Sequence, residues 1–209
     1  MTENFKQTTS PAPVYGISEW PCYYVNYGKQ GGKVTDIDEC IELHLAAGID
    51  QIVWNVGRSV VDYWSDLSNT TRMCELGNLA GGIDLSFVKD VMNEVCPLRY
   101  AMQLCRDRKM PILGRLGMNR HYGGRSSAAV TSQFAFYNPQ FHERTRDGKR
   151  VSSRMCYGIE DVRQERIDIL LEVQRIGVDA LVLDFCRQMP MVMYHDVVVG
   201  AFIQLTGMS

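Results

Sequence analysis

One passage constrains this chain more than any other, residues 160–187. Apolar residues at Val162, Ile169, Leu170, Val173 and Ile176 fit one helical face, and Gly177 follows where a helix end favours a left-handed residue. The run Val178-Asp179-Ala180-Leu181-Val182-Leu183 is short, mostly apolar, and closes on Asp184-Phe185-Cys186-Arg187. Such a run reads as a strand buried on both faces of a parallel sheet. A helix feeding a buried strand is the repeat unit of an α/β fold. In barrels of that kind the chemistry lies where the strands end. Asp184, just past the apolar run, is therefore the first candidate for a catalytic group, with Arg187 as a partner that would keep it ionised.

The same unit recurs upstream. Residues 1–13 are polar and read as a disordered tail; 14–209 read as one domain. Residues 14–20 suggest a first strand. Thr35 and Asp36 are positioned to cap a helix that Gly48 ends, and 49–56 suggest a second strand closing on Asn55, Gly57 and Arg58. A loop over about 58–83, rich in Ser, Asn, Thr and Gly, is long enough to be functional. Asp84 is placed to cap a helical region that Pro97 splits. Residues 111–118 suggest a third strand, ending on Asn119, Arg120, His121 and Tyr122. Residues 123–158 break the alternation: Asp147-Gly148 is a hairpin signal, and the segment reads as a small β-rich insertion. A last apolar stretch over 194–205 suggests a helix. The resulting order is βα, βα, β-insertion-α, βα. It predicts a parallel sheet with about four β/α units, either a four-stranded open sheet or, as the favoured reading, the N-terminal half of an eight-fold barrel.

Charge and cysteines narrow the function classes. A formal net charge of -2 offers no basic surface for nucleic acid. No apolar run is long enough for a membrane span. The seven cysteines are scattered, odd in number and free of C-x-x-C, which predicts reduced thiols and a cytoplasmic setting. His44 and His195 have no second ligand at metal spacing, and there is no glycine-rich phosphate loop. The expectation is therefore no metal and no cofactor.

Longer patterns carry a resemblance. Asn138-Pro139-Gln140-Phe141, Arg146-Asp147-Gly148-Lys149-Arg150, Tyr157-Gly158-x-Glu160-Asp161-Val162-Arg163 and Gly177-Val178-Asp179-Ala180-Leu181-Val182-Leu183-Asp184-Phe185-x-Arg187 resemble bacterial glycoside-hydrolase-like TIM-barrel proteins over roughly residues 110–190. Ala180 departs from the glycine usual in that family. The resemblance implies a carbohydrate ligand and a nucleophilic carboxylate at the end of the fourth strand, the position of Asp184. It also implies an acid/base carboxylate on a fifth strand, and no position matches it before the chain ends, so these residues alone are expected to show no hydrolysis; were turnover seen, Glu143 and Glu160 would be the first places to look. Asn119, Arg120, His121, Asn55, Arg58, Tyr157 and Trp54 would then line the sugar site, Trp54 by stacking, although a Trp in such a strand is more often core. The alternative reading is a carbohydrate-binding or structural barrel-like protein without turnover. A half barrel also leaves two sheet edges open, which predicts a homo-oligomer paired through them.

Overall fold

A computed structural model describes residues 12–18, 20, 32–75, 86–119, 131–186 and 190–208. The chain is mixed α/β. Its centre is a four-stranded sheet of β1 (Tyr15–Ile17), β2 (Gln51–Gly57), β3 (Ile112–Gly117) and β6 (Ala180–Asp184), all parallel and in the spatial order β1-β2-β3-β6. Between them run α1 (Thr35–Ala46), α2 (Ser86–Glu94), α3 (Pro97–Asp107) and α5 (Glu160–Ile176). An antiparallel pair, β4 (His142–Arg144) and β5 (Arg150–Met155), follows the short helix α4 (Gln133–Tyr137); α6 (Asp196–Thr206) comes last.

Strand order decides how the helices lie. The strands are added in one direction with no reversal, so right-handed crossovers put every connecting helix on the same side. The close contacts agree. A Cβ on Gly16 would come within 2.3 Å of His44 in α1, and one on Gly114 within 2.7 Å of Val173 in α5. Gly16 is in register with Ile52, Ile52 with Ile112, and Trp54 with Gly114, so both glycines look out of one face. That face carries the core: Ile52, Trp54, Ile112 and Leu116 pack with Ile37, Ile41, Leu98, Ala101, Ile169 and Val173. At the β1 edge the opposite face carries Tyr15 and Ile17, 53% and 52% exposed. A doubly wound sheet would cover both faces with helices; this one is singly wound.

Local chemistry explains the boundaries. Pro97 opens α3, where its missing N–H costs nothing. The Asp36 carboxylate reaches back from the first turn of α1 to accept the N–H groups of Gly32 (2.8 Å) and Lys33 (3.0 Å), so it organises the preceding loop and Thr35 contributes no side-chain cap. Gly177 ends α5 at φ 107°. Asp179 then accepts the Ile112 N–H at 2.8 Å and sets the register of β6 on β3. Asp84 lies outside the described residues.

Two expectations change. The run ending on Asp184 is not buried on both faces: Ala180 and Leu183 are exposed, because β6 is the last strand of the described sheet and α6 buries none of its residues. The segment 133–137, within the insertion expected to be β-rich and with a weak alternation over Phe134-Ala135-Phe136-Tyr137, is a helical turn. The Ser132 hydroxyl caps it by accepting the Ala135 N–H at 3.1 Å, and a good cap outweighs a weak two-residue period. The hairpin itself turns through Asp147-Gly148, with Gly148 at φ 79° and a Thr145 N–H to Lys149 carbonyl bond of 2.8 Å.

Candidate active site at the carboxyl ends of the strands

The register brings polar side chains together on the face turned away from the connecting helices among the described residues. Asn55 is paired with Arg115, Arg115 with Val182, and Gly117 with Asp184. Residues two apart on a strand share a face, so Asn55, Arg115, Gly117 and Asp184 all look the same way. Arg115 is the centre of the group. Its guanidinium forms an ion pair with Asp184 Oδ2, and both side chains are largely buried. The other oxygen, Oδ1, accepts the Cys186 N–H at 2.9 Å. Burial pushes the Asp184 carboxyl up. The Cys186 N–H and the Arg115 guanidinium outweigh that and hold it below its ordinary value. Asp184 is thus a charged carboxylate, clamped by two fixed donors. The partner expected from the sequence, Arg187, lies outside the described residues; the observed partner is Arg115.

The loop after β2 adds a second carboxyl. Gly57, at φ 144°, lets the chain fold back so that the Asp62 N–H reaches the Val56 carbonyl at 3.0 Å. A Cβ on Gly57 would lie 2.4 Å from the Val60 oxygen, so no other residue fits this turn unstrained. The turn carries Asp62 beside Asn55, whose side-chain amide donates to Asp62 Oδ2 at 2.5 Å. Asp62 is 1% exposed. Burial pushes its carboxyl up to about 7, against the Asn55 amide and the Arg58 charge, which both favour ionisation. Among the described residues, Asp62 Oδ1 and Asn55 Oδ1 have no hydrogen-bond partner. The stem of Arg58 crosses Gly117, where a Cβ would come within 2.5 Å of Arg58 Cγ.

The rim is tied down from behind. In α5, Arg166 and Glu165 form an ion pair that is almost wholly buried, and the Arg166 guanidinium also donates to the Arg58 and Gly117 carbonyls. It joins the ends of β2 and β3 through their main chains. The Asn119 side-chain amide donates to the Phe185 carbonyl at 3.0 Å, and the Met118 N–H donates to the Asp184 carbonyl at 2.9 Å. The Tyr157 hydroxyl donates to the Met118 carbonyl, its ring lies 6.1 Å from that of Phe185, and burial pushes its phenol up to about 12.

Asn55, Arg58, Asn119, Tyr157 and Asp184 therefore lie around one rim. Trp54 does not join them. It is fully buried on the helix side, 6.1 Å from Trp20 ring to ring, and offers no surface for stacking a sugar. Arg120 and His121 lie outside the described residues. Glu143 is also fully enclosed, beside the Cys156 thiol. Among the described residues, no three or more His, Cys, Asp or Glu side chains are grouped to hold a metal ion. No helix of the described residues is long and apolar enough to cross a membrane.

No family model matches the sequence, and no curated protein matches it. A solved structure does align. It is a noncanonic maltogenic alpha-amylase from Thermotoga neapolitana, 15% identical, with a TM-score of 0.48 over 93% of this chain. The alignment covers 43% of the amylase chain, so the present chain spans less than half of that protein's length.

Arg115, Asp62 and the Glu165–Arg166 pair were not singled out from sequence. Arg115 had a signal, a lone charge inside the buried run Ile112–Gly117. Glu165 and Arg166 sit in step with Val162, Ile169 and Val173, on the apolar face of their helix. Asp62 had none, because its burial depends on the turn at Gly57.

Proposed function

We propose that this chain is part of a glycoside-hydrolase-like β/α barrel, carries its site on the rim described above, and acts on a carbohydrate with Asp184 as the reacting carboxylate. The observation that carries the reading is the state of Asp184. It is ionised, held by two fixed donors, and sits at the carboxyl end of a singly wound parallel sheet on the face that would look into a barrel. A carboxylate so fixed meets a developing oxocarbenium-like centre with little reorganisation. Asp62 is the second carboxyl of the cluster. It is closed off from solvent, so its part is to hold the Asn55 amide beside Arg115 and to set the charge of the cluster. Asn119 and Tyr157 position the segments that follow β3 and β6. Arg58, together with Arg120, His121 and Arg187, would contact sugar hydroxyls.

The test is a panel of aryl and natural glycosides with wild type and Asp184→Asn. Asn keeps the size of the side chain but not its charge, so folding should survive while any hydrolysis falls by orders of magnitude. If Asp184→Asn unfolds the protein, or leaves the rate per folded molecule unchanged, Asp184 is structural. Binding of sugars without turnover would favour the second reading, a non-catalytic carbohydrate-binding barrel. Pairing with a second copy through the outer edges of β1 and β6 is a further proposal, to be read by sedimentation.

A further inference from the structure

A cavity whose lining does not include Asp184 lies beside α5. It has a volume of about 270 Å³ and opens between the first turns of α5 and the segment around α4. Phe134 and Phe141 form one wall, their rings 6.2 Å apart and tilted by 45°. Asp161, Gln164 and Asp168 form the other, one stripe of α5 at helical spacing. Asn138 sits at the border between the two. The cavity is near the lower end of volumes that take small organic ligands, room for about one sugar ring.

We infer that this cavity is a binding site for one unit of a neutral glycan, separate from the rim around Asp184. The inference rests on the carbohydrate reading above and extends it. Phenyl rings offer flat apolar surfaces, which suit the C–H face of a pyranose. The facing wall mixes amides, which both donate and accept, with carboxylates, which accept; hydroxyl groups need both. Gln164 already donates to Asp168 at 2.7 Å, and such a bridge positions a carboxylate for a neighbouring hydroxyl. Among the described residues the cavity's lining contains no Lys, Arg or His. That excludes phosphorylated sugars and uronic acids, whose charge the carboxylates repel. The placement also suits an extended ligand. Helix α5 runs antiparallel to the strands, and its Arg166 is bonded to the ends of β2 and β3, so the first turns of α5 lie at the same end of the sheet as Asp184. A chain held at the rim has a second place to rest on the outer side of that end.

The experiment measures binding of maltotetraose, cellotetraose and xylotetraose by titration calorimetry. Tetragalacturonate and arginine amide serve as charged comparisons. Wild type, Asp184→Asn, Asp161→Ala with Gln164→Ala, and Phe134→Leu are compared, each first checked for an unchanged melting curve. Phe134→Leu keeps the apolar volume packed against Ala135 and Met155 while removing the ring, so loss of binding is not loss of fold. The expected result is binding of at least one neutral tetrasaccharide and not of tetragalacturonate. Both cavity variants should weaken it by about three- to tenfold, as expected for losing a ring contact or a pair of polar contacts. Asp184→Asn, which keeps the side-chain size at the rim, is the comparison that tells loss at the rim from loss in the cavity. Equal binding by cavity variants and wild type, or loss only in Asp184→Asn, overturns the second site and leaves the reading of Asp184 standing. Preferential, salt-sensitive binding of arginine amide in the cavity overturns it in favour of a cation site. Hydrolysis without measurable tetrasaccharide binding overturns it too, whereas absence of both binding and hydrolysis overturns the carbohydrate reading as well.

Discussion

Asp62→Asn changes one atom of a buried side chain and should make the protein more stable, but only over part of the pH range. The Asp62 carboxyl has an ordinary value of 3.8 and is pushed up to about 7 in the fold, chiefly by burial. Below pH 3.8 it is neutral whether the chain is folded or not. Between pH 3.8 and 7 the folded state holds a proton that the unfolded chain gives up, so the stability it contributes drains away as pH rises. Above 7 the loss is complete. At about 1.4 kcal/mol per pH unit, the rise from 3.8 to about 7 corresponds to about 4 kcal/mol. Asn cannot ionise and keeps the size and a bond to Asn55. Asp62→Asn should therefore match wild type near pH 4, gain steadily to pH 7, and stay about 4 kcal/mol ahead above that. In a chain of this size that is on the order of 10 °C in melting temperature. Melting by circular dichroism from pH 4 to 9 reads it. His44, pushed up to about 9 mainly by its bond to Cys40, contributes stability that is lost as pH climbs from 6.5 through 9, equally in both proteins, so the difference isolates Asp62. A difference that does not vary with pH, or a variant less stable than wild type at pH 8, would refute the claim that Asp62 is a buried acid.

Gly57→Ala should cost more than about 3 kcal/mol in urea unfolding, since the new methyl meets the Val60 carbonyl and the residue cannot hold φ 144° without strain; a cost under 1 kcal/mol would mean that the turn at 57–61 is not fixed. Arg166→Met should cost about 3–5 kcal/mol, because it leaves Glu165 charged and enclosed. Adding Glu165→Gln should recover part of that loss, and a double-mutant cycle showing simple additivity would rule out the coupling.

How far sequence alone reaches is visible in particular residues. Helix α5 has the predicted bounds because its apolar spacing, its acidic first turn and Gly177 all agree. Strand β3 runs Ile112–Gly117 within the predicted 111–118, and Pro97 splits the helical region where expected. These are local signals. Asp184 was legible for the same reason, as a carboxylate at the end of an apolar run. What it pairs with was not. Arg115 reaches it only because β3 and β6 are neighbours in the register that Asp179 sets on Ile112. Trp54 and Asn55 are adjacent in sequence, yet the pleat sends one to the core and the other to the rim, and only knowledge of which face the helices cover tells them apart. The exposure of Leu183 is likewise set by what lies beside β6.

The protonation states of the two carboxyls differ because a guanidinium pairs with one of them while burial dominates the other. Arg115 pairs with Asp184, and Asp62 receives only the Asn55 amide and the field of Arg58. At pH 6 the group formed by Arg115, Asp184 and Asp62 is therefore neutral, its single negative charge already matched. When Asp62 gives up its proton near pH 7 the same group carries a net charge of -1. A cationic, oxocarbenium-like transition state is favoured by the second state and not by the first. If Asp184 reacts as proposed, kcat/KM should climb through a limb near pH 7 in wild type. Asp62→Asn should lack that limb and stay at the low-pH rate while its melting temperature rises, so the change that stabilises the fold would slow the reaction. A wild-type profile flat from pH 6 to 8, or an Asp62→Asn enzyme as fast as wild type at pH 8, would mean that the charge of Asp62 is not felt where the bond breaks.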